Sequence, residues 1–294
     1  MLSQYNMRYT KKRVCSKEAE EKKRKLRVNR VELFLGEGWD VMPAGGATGE
    51  AYVAKHGDYQ LFIKRNSSPF LAVLSAEGIV PKLLWTKRLE SGDVITAQRW
   101  IQGRELKAKE MMNASTAAML SNIHRSNELL DLFKRMGNEP LDPRHMVENM
   151  YVQIQLYRIE DELVLACMDY LERTKDQLGD AEYAVCHGDI NHNNWMRDEQ
   201  DNLYLIDWDG ASVADPALDL GLMLYTYIPE EHWATWLAQY GAELDHSLKM
   251  RMHWYVVAHT ISEILWNHSR GQFSQVEELK KALMYVASKN DHSD

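Results

Sequence analysis

The chain has 294 residues, 45% of them hydrophobic and 27% charged, with 35 Lys and Arg against 43 Asp and Glu. That composition excludes collagen-like and disordered chains and supplies enough apolar side chains for one large core or two modest ones. The net charge of −8 is unevenly placed: residues 1–30 hold 11 basic and 3 acidic side chains, leaving 24 basic and 40 acidic for the remainder, which is a poor footprint for duplex nucleic acid or an anionic membrane.

The cysteines Cys15, Cys167 and Cys186 show neither a C-x-x-C pair nor metal-ligand spacing. This fits a reduced cytoplasm and argues against a disulfide scaffold. No apolar run approaches the roughly 18 residues of a membrane span, and the basic N-terminus lacks the apolar segment of a signal peptide. The expectation is a cytoplasmic protein with no membrane span and no nucleic-acid partner.

In chain order, residues 1–30 read as a basic, solvated tail, with an arm for an acidic partner as the alternative. Residues 31–100 read as a β-rich lobe. AYVAKHGDYQLFIK holds two alternating runs about His56-Gly57-Asp58, and LLWTKRLESGDVITAQRW repeats the form about Ser91-Gly92-Asp93, both hairpin patterns. Between them SSPFLAVLSAEG predicts a short helix, capped by Ser67 or Ser68 with Pro69 in its first turn. Residues 101–294 turn helical. Met112, Thr116, Met119, Leu120, Ile123 and Leu130 fall near helical spacing after Asn113 or Ser115 as cap, a long helical stretch follows Pro143, and two or three helices are expected over 216–290. One strand–loop–strand segment, roughly 183–209, interrupts them. The layout is α+β: a small β-rich lobe, then a larger helical one, with a cleft expected near residue 100.

The densest chemistry lies in AVCHGDINHNNWMRDEQDNLYLIDWDGASVADPALDLG, residues 184–221. Asp189 and Asn194 share one loop, and Asp207 closes the apolar run LYLI beyond a polar turn. Phosphoryl transfer needs such a set: a carboxylate to orient or deprotonate a hydroxyl, and hard oxygen ligands for Mg²⁺. A calcium loop beginning at Asp189 fits worse, since the glycine position holds Asn194 and the twelfth holds Gln200. Loop-capping polar residues in a structural turn remain the bland reading for any one of these side chains.

PAGGATGEAYVAK places Gly45, Gly46 and Gly49 in a turn whose amides can cover phosphates, though a plain glycine-rich hairpin turn reads equally well. No Gly-Lys-Ser/Thr follows, so it is not a Walker A loop. A strand hairpin instead of a helix follows, which argues against a dinucleotide-binding unit. Lys64 ends the strand LFIK, either as a solvated edge charge or, beside a glycine loop, as a phosphate ligand.

The glycine-rich segment, strand lysine, HGDINHNN and LIDWD, in this order, resemble the aminoglycoside phosphotransferase and choline kinase family, which has a two-lobed protein-kinase-like fold. FIKRNSSPF, PKLLWTKRL and HGDINHNNW look more narrowly like its bacterial cell-cycle regulator (CcrZ) type. The resemblance implies an ATP- and Mg²⁺-dependent kinase acting on a small-molecule alcohol. It makes Asp189 the catalytic carboxylate, Asn194 and Asp207 the Mg²⁺ ligands and Lys64 the α/β-phosphate lysine. His187 becomes a scaffold for the loop, and Glu77 the helix glutamate pairing with the lysine. Gln98 and Trp100 fall in the adenine-binding hinge, Gly103 in the turn after it, and Asp219 is a structural brace.

Asp209 stands where the family usually has glutamate, which shortens its reach by one methylene. With His192 it is a candidate for contact with the acceptor, against a solvent-facing turn histidine. The narrower likeness implies a ribose- or 2-deoxyribose-type acceptor, free or within a nucleoside, and a link to cell-cycle control. Choline, thiamine and aminoglycosides are the other acceptors the family suggests. A regulatory adaptor binding a cell-division or replication-initiation protein is the second function. A protein kinase fits less well, because no A-P-E segment follows Asp207.

Overall fold

Along Ala51–His56 (β2) and Tyr59–Arg65 (β3), every second residue is apolar. Tyr52, Ala54, Leu61 and Ile63 are accordingly buried on one face of a sheet. The computed structural model describes residues 35–45, 50–179 and 181–289. The basic tail, Gly46 and Gly49 lie outside them. The described chain forms two compact units, one running to Ser75 and taking in Pro81–Ile101, the other comprising Ala76–Val80 and the residues from Gln102 onward.

The first unit is a five-stranded antiparallel sheet in the order β1-β2-β3-β5-β4. Its other strands are Asp40–Gly45 (β1), Leu83–Arg88 (β4) and Val94–Arg99 (β5). Both expected hairpins form, and the turn of the first is Gly57-Asp58. Val41, Tyr52, Ala54, Leu61, Ile63, Ile95 and Ala97 make its core. The predicted helix is Leu71–Ala76 (α1). Ser68 Oγ accepts the Phe70 N–H at 3.3 Å, whereas Ser67 is drawn away to the Thr96 hydroxyl at 2.8 Å.

In the second unit the helices are Ala114–Arg125 (α2), Asn127–Arg135 (α3), Pro143–Tyr157 (α4), Glu162–Thr174 (α5), Ala217–Tyr227 (α6), Trp233–Tyr240 (α7), His246–Ser269 (α8) and Phe273–Ser288 (α9). Residues 216–290 thus carry four helices where two or three were expected. The sequence pattern blurs because α8 is buried nearly all round, from Met252 to Leu265, and shows little amphipathic contrast. Helix starts are chemically marked. Asp142 accepts from the Arg144 N–H ahead of α4, Asp161 from Leu163 and Val164 ahead of α5, and Asp245 from Leu248 ahead of α8. Asn113 precedes α2 without a side-chain cap bond.

The embedded β segment is larger than one hairpin. Trp195–Asp198 (β8) and Leu203–Leu205 (β9) form the hairpin, and Gly103–Glu105 (β6) adds a third strand against β8. Ala184–Cys186 (β7) pairs separately with Ser212–Ala214 (β10). Gly103, expected in a turn, is therefore a strand residue, and a Cβ there would lie 2.4 Å from the Arg197 carbonyl oxygen.

Candidate active site

All three residues of β7 are buried, as are Val213 and Ala214 opposite them. This inner pair delivers His187, Gly188 and Asp189 at its end. Gly188 has φ +76°, and a Cβ on it would sit 3.2 Å from the Gly210 carbonyl oxygen. The residue between the histidine and the aspartate must therefore be glycine for two reasons, conformation and space. Beyond it the chain turns sharply: Ile190 is buried while Asp189 is exposed.

Asn191 Oδ1 accepts the Asn193 N–H at 3.1 Å and opens a short 3₁₀ turn, His192–Asn194. The turn folds Asn194 back on Asp189. Its Nδ2 donates to Asp189 Oδ2 and to the Asp189 carbonyl, each at 3.0 Å. The amide nitrogen is used on the carboxylate, and the amide oxygen is the atom suited to a hard cation.

Ile206 links this loop to Asp207. Its N–H donates to the Asn194 carbonyl at 2.8 Å, and its carbonyl accepts from His187 Nε2 at 2.9 Å. His187 is fully buried. Its Nε2 carries a proton, because a carbonyl only accepts, and its Nδ1 accepts the Asp189 N–H at 3.3 Å. Both ring nitrogens are thus committed to backbone, the scaffold role expected for this residue. Asp207 follows in a left-handed conformation, φ +65° and ψ +61°, which costs an L-residue about 1–2 kcal/mol. Asp207 and Asp209 are exposed. Between them Trp208 donates Nε1–H to the Leu205 carbonyl at 2.8 Å and meets the His187 ring edge-on, centroids 4.8 Å apart. Trp195 is fully buried.

The second unit thus brings Asp189, Asn194 and Asp207 onto one braced loop system. His192 is partly exposed but held: the Tyr227 hydroxyl contacts its backbone N–H at 3.0 Å and its Nδ1 at 3.2 Å. Glu77 lies one residue beyond α1, in the segment assigned to the second unit, and accepts from the Ser126 hydroxyl at 2.9 Å.

In the first unit, Lys64 is half-buried on β3, paired in register with Ala51 and Thr96. Gly45 ends β1 after an irregularity in register at Pro43. Gln98 is buried, its Nε2 donating to the Pro81 carbonyl at 2.8 Å. Trp100, just past β5, is 36% exposed.

Asp219, expected as a brace, lies on the first turn of α6, is fully buried and accepts the His187 and Gly188 N–H groups at 2.7 and 2.8 Å. The groups that hold it in turn were not legible in the sequence. His124 Nε2 lies 3.1 Å from its Oδ2, and His124 Nδ1 is 2.9 Å from the Tyr240 hydroxyl. Burial alone would raise the Asp219 carboxyl. The hydrogen bond from His124, first among the opposing causes, and the Gly188 amide outweigh burial and hold the group below its ordinary range. Asp215 accepts the Ala217 N–H at the start of α6 and both its oxygens lie 2.6 Å from Arg251 NH1. A histidine inside an otherwise apolar helical stripe was the one available signal for His124. Tyr227 and Arg251 had none, being 35 and 36 positions from their partners.

Chemically, the assembly offers an exposed carboxylate oriented by an amide, beside two further oxygen donors on a rigid backbone frame. The phosphotransferase enzyme family profile matches residues 44–255. Among solved structures, the choline kinase LicA from Streptococcus pneumoniae is 19% identical, with a TM-score of 0.62 over 90% of this chain and 99% of that one. The aminoglycoside phosphotransferase APH(2″)-IIIa, described as a complex with GDP and kanamycin, is 15% identical at a TM-score of 0.66, over 90% and 99%. The spectinomycin phosphotransferase APH(9)-Ia, described with ADP and spectinomycin, gives 16% and 0.55 over 84% and 88%. These likenesses establish an α+β, protein-kinase-like fold, and among the described residues no helix is long and apolar enough to cross a membrane. With most of its length matched, the chain belongs to the phosphotransferase enzyme family and is an enzyme of the kinase type, acting on an alcohol group.

Proposed function

We propose that the chain transfers the γ-phosphoryl group of ATP to a hydroxyl of a small sugar, ribose or 2-deoxyribose, free or within a nucleoside. The observation that carries the reading is the bond from Asn194 Nδ2 to Asp189 Oδ2. It sets one oxygen of an exposed carboxylate and leaves the other to meet a hydroxyl. Asp189 takes the hydroxyl proton as the new O–P bond forms and the bond from the γ-phosphorus to the bridging oxygen breaks, releasing ADP.

Asn194 and Asp207 suit Mg²⁺ through the chemistry of their donors, an amide oxygen and a carboxylate set on a backbone fixed by Ile206. When bound, the ion neutralises phosphate charge. Lys64 serves the α- and β-phosphates, and Gly45, Gly46, Gly49 and the backbone at Gln98 and Trp100 serve the nucleotide. Glu77 is the candidate partner of Lys64, with one carboxylate oxygen also accepting from the Ser126 hydroxyl.

The sugar rests on the likeness of FIKRNSSPF, PKLLWTKRL and HGDINHNNW to the CcrZ type, and on the polar side chains Asn191, His192 and Asn193 of one loop and Asp209 of the next turn. The cysteines Cys15, Cys167 and Cys186, without a paired spacing, support a cytoplasmic setting, and the same likeness supports a cell-division or replication-initiation protein as partner. The test is purified protein with Mg-ATP against ribose, 2-deoxyribose, nucleosides, choline, thiamine and aminoglycosides, with Asp189→Asn as the blank. The account expects ADP release with a sugar or nucleoside. Consumption of choline, thiamine or an aminoglycoside alone would overturn the sugar, and consumption of none would overturn the kinase reading in favour of an adaptor.

A further inference from the structure

Tyr227 ends α6, one helix away from any motif, yet its hydroxyl reaches into the loop between Asp189 and Asn194. The phenol oxygen lies 3.0 Å from the His192 backbone nitrogen and 3.2 Å from Nδ1, and the two rings meet edge to face, centroids 5.8 Å apart and planes at 77°.

Donor and acceptor roles follow from the chemistry of the groups. The backbone N–H can only donate, so the phenol oxygen accepts it. With the phenol as donor in its contact to Nδ1, Nδ1 is an acceptor and the imidazole proton lies on Nε2. Half-burial, the backbone bond and the nearby Asp189 charge act on the phenol together; burial and Asp189 win, and keep it protonated. Of the loop's polar residues, Asn191 uses its amide oxygen on the Asn193 N–H and Asn194 its amide nitrogen on Asp189. His192 is the one of these three whose side chain is held by a residue from outside the loop.

We propose that Tyr227 is a positioning residue for acceptor recognition, holding the His192 ring so that its Nε2–H donates to an oxygen of the acceptor. A fixed N–H donor beside the catalytic carboxylate recognises hydroxyl or ring-ether oxygens, and it offers nothing to a quaternary ammonium group, which has no lone pair to accept it. The proposal deepens the sugar-kinase reading and rests on it. It assigns to the tyrosine the discrimination that composition of the loop alone leaves open.

Two measurements test it. Long-range ¹H–¹⁵N spectra of the imidazoles, with the His192 signal assigned by its loss in His192→Gln, should show a protonated Nε2 and a bare Nδ1, and Tyr227→Phe should convert that signal to a mixture of tautomers. With Mg-ATP and D-ribose, Tyr227→Phe should raise the ribose KM about tenfold, the scale of one lost hydrogen bond, without moving the Mg-ATP KM. His192→Gln, which keeps an N–H near the Nε2 position, should retain more ribose turnover than His192→Ala. An unchanged tautomer in Tyr227→Phe, a ribose KM that does not move, or parallel loss of both KM values would overturn the proposal. So would wild-type protein that consumes choline and refuses ribose. Refusal of every alcohol would instead defeat the kinase reading itself, whatever the spectra show.

Discussion

His187 donates its Nε2 proton to the carbonyl of Ile206 at 2.9 Å, and through that bond the loop carrying Asp189 and the segment carrying Asp207 become one frame. The same residue gives its N–H to the Asn194 carbonyl. The two peptide groups flanking Ile206 are therefore both held, one by the histidine two residues before Asp189 and the other by the backbone carbonyl of Asn194. The left-handed Asp207 that follows has its strain of about 1–2 kcal/mol offset by these bonds.

Asp207→Asn should weaken the Mg²⁺-dependent part of nucleotide binding while leaving the metal-free part alone, since it removes a charge without removing bulk. Nucleotide titrations with and without Mg²⁺ check this. A Mg²⁺ dependence equal to wild type would exclude Asp207 as a ligand.

Gly188→Ala should destabilise the protein by about 1–2 kcal/mol from the positive φ alone, with a further contribution from the 3.2 Å approach to the Gly210 oxygen. Urea unfolding gives the stability. Turnover should fall by more than that loss explains, because Asp189 is the next residue.

Gly221→Ala is a control of another kind. On α6 the added methyl group would come 2.7 Å from the Met252 carbonyl oxygen and 2.8 Å from Val256 on α8. Separating two packed helices costs about 1–3 kcal/mol. Thermal unfolding should show it, and a stability equal to wild type would mean that the helices part freely.

Asp219 sets a pH dependence. Its carboxyl is held below the ordinary value of 3.8 in the folded protein, so its contribution to stability is complete above that value. The contribution is lost as the pH falls below 3.8 and through the lower folded value. Asp219→Asn should be less stable than wild type at neutral pH, and the difference should shrink on acidification through this window. A gap that stays constant with pH would locate the stabilising charge elsewhere.

The fold was legible where local chemistry decides it. Alternation in Ala51–Arg65, the turn at Gly57-Asp58 and the capping residues Asp142, Asp161 and Asp245 are contiguous in sequence, and each acts within a few positions. The grouping of Asp189, Asn194 and Asp207 was legible because HGD-x-x-x-x-N and IDWD hold them within two short stretches. What escaped were long-range partners. The tyrosine on His192, the histidine on Asp219 and the arginine on Asp215 lie 35, 95 and 36 positions from the groups they hold, and no periodicity links residues joined only by the packing of helices. Glu77 was expected near the end of a short helix and lies one residue beyond it. Gly78 at φ +72° follows, the helix stops at Ala76, and the carboxylate turns to Ser126.

The central claim is that Asp189 does the chemistry and other groups hold the nucleotide. Measuring turnover and Mg-ATP affinity together on Asp189→Asn tests it most directly. Loss of turnover by about 10²–10⁴-fold, the range of a positioned general base, with Mg-ATP affinity nearly unchanged, is the predicted result. Turnover near wild type, or turnover and affinity falling in equal measure, would contradict it.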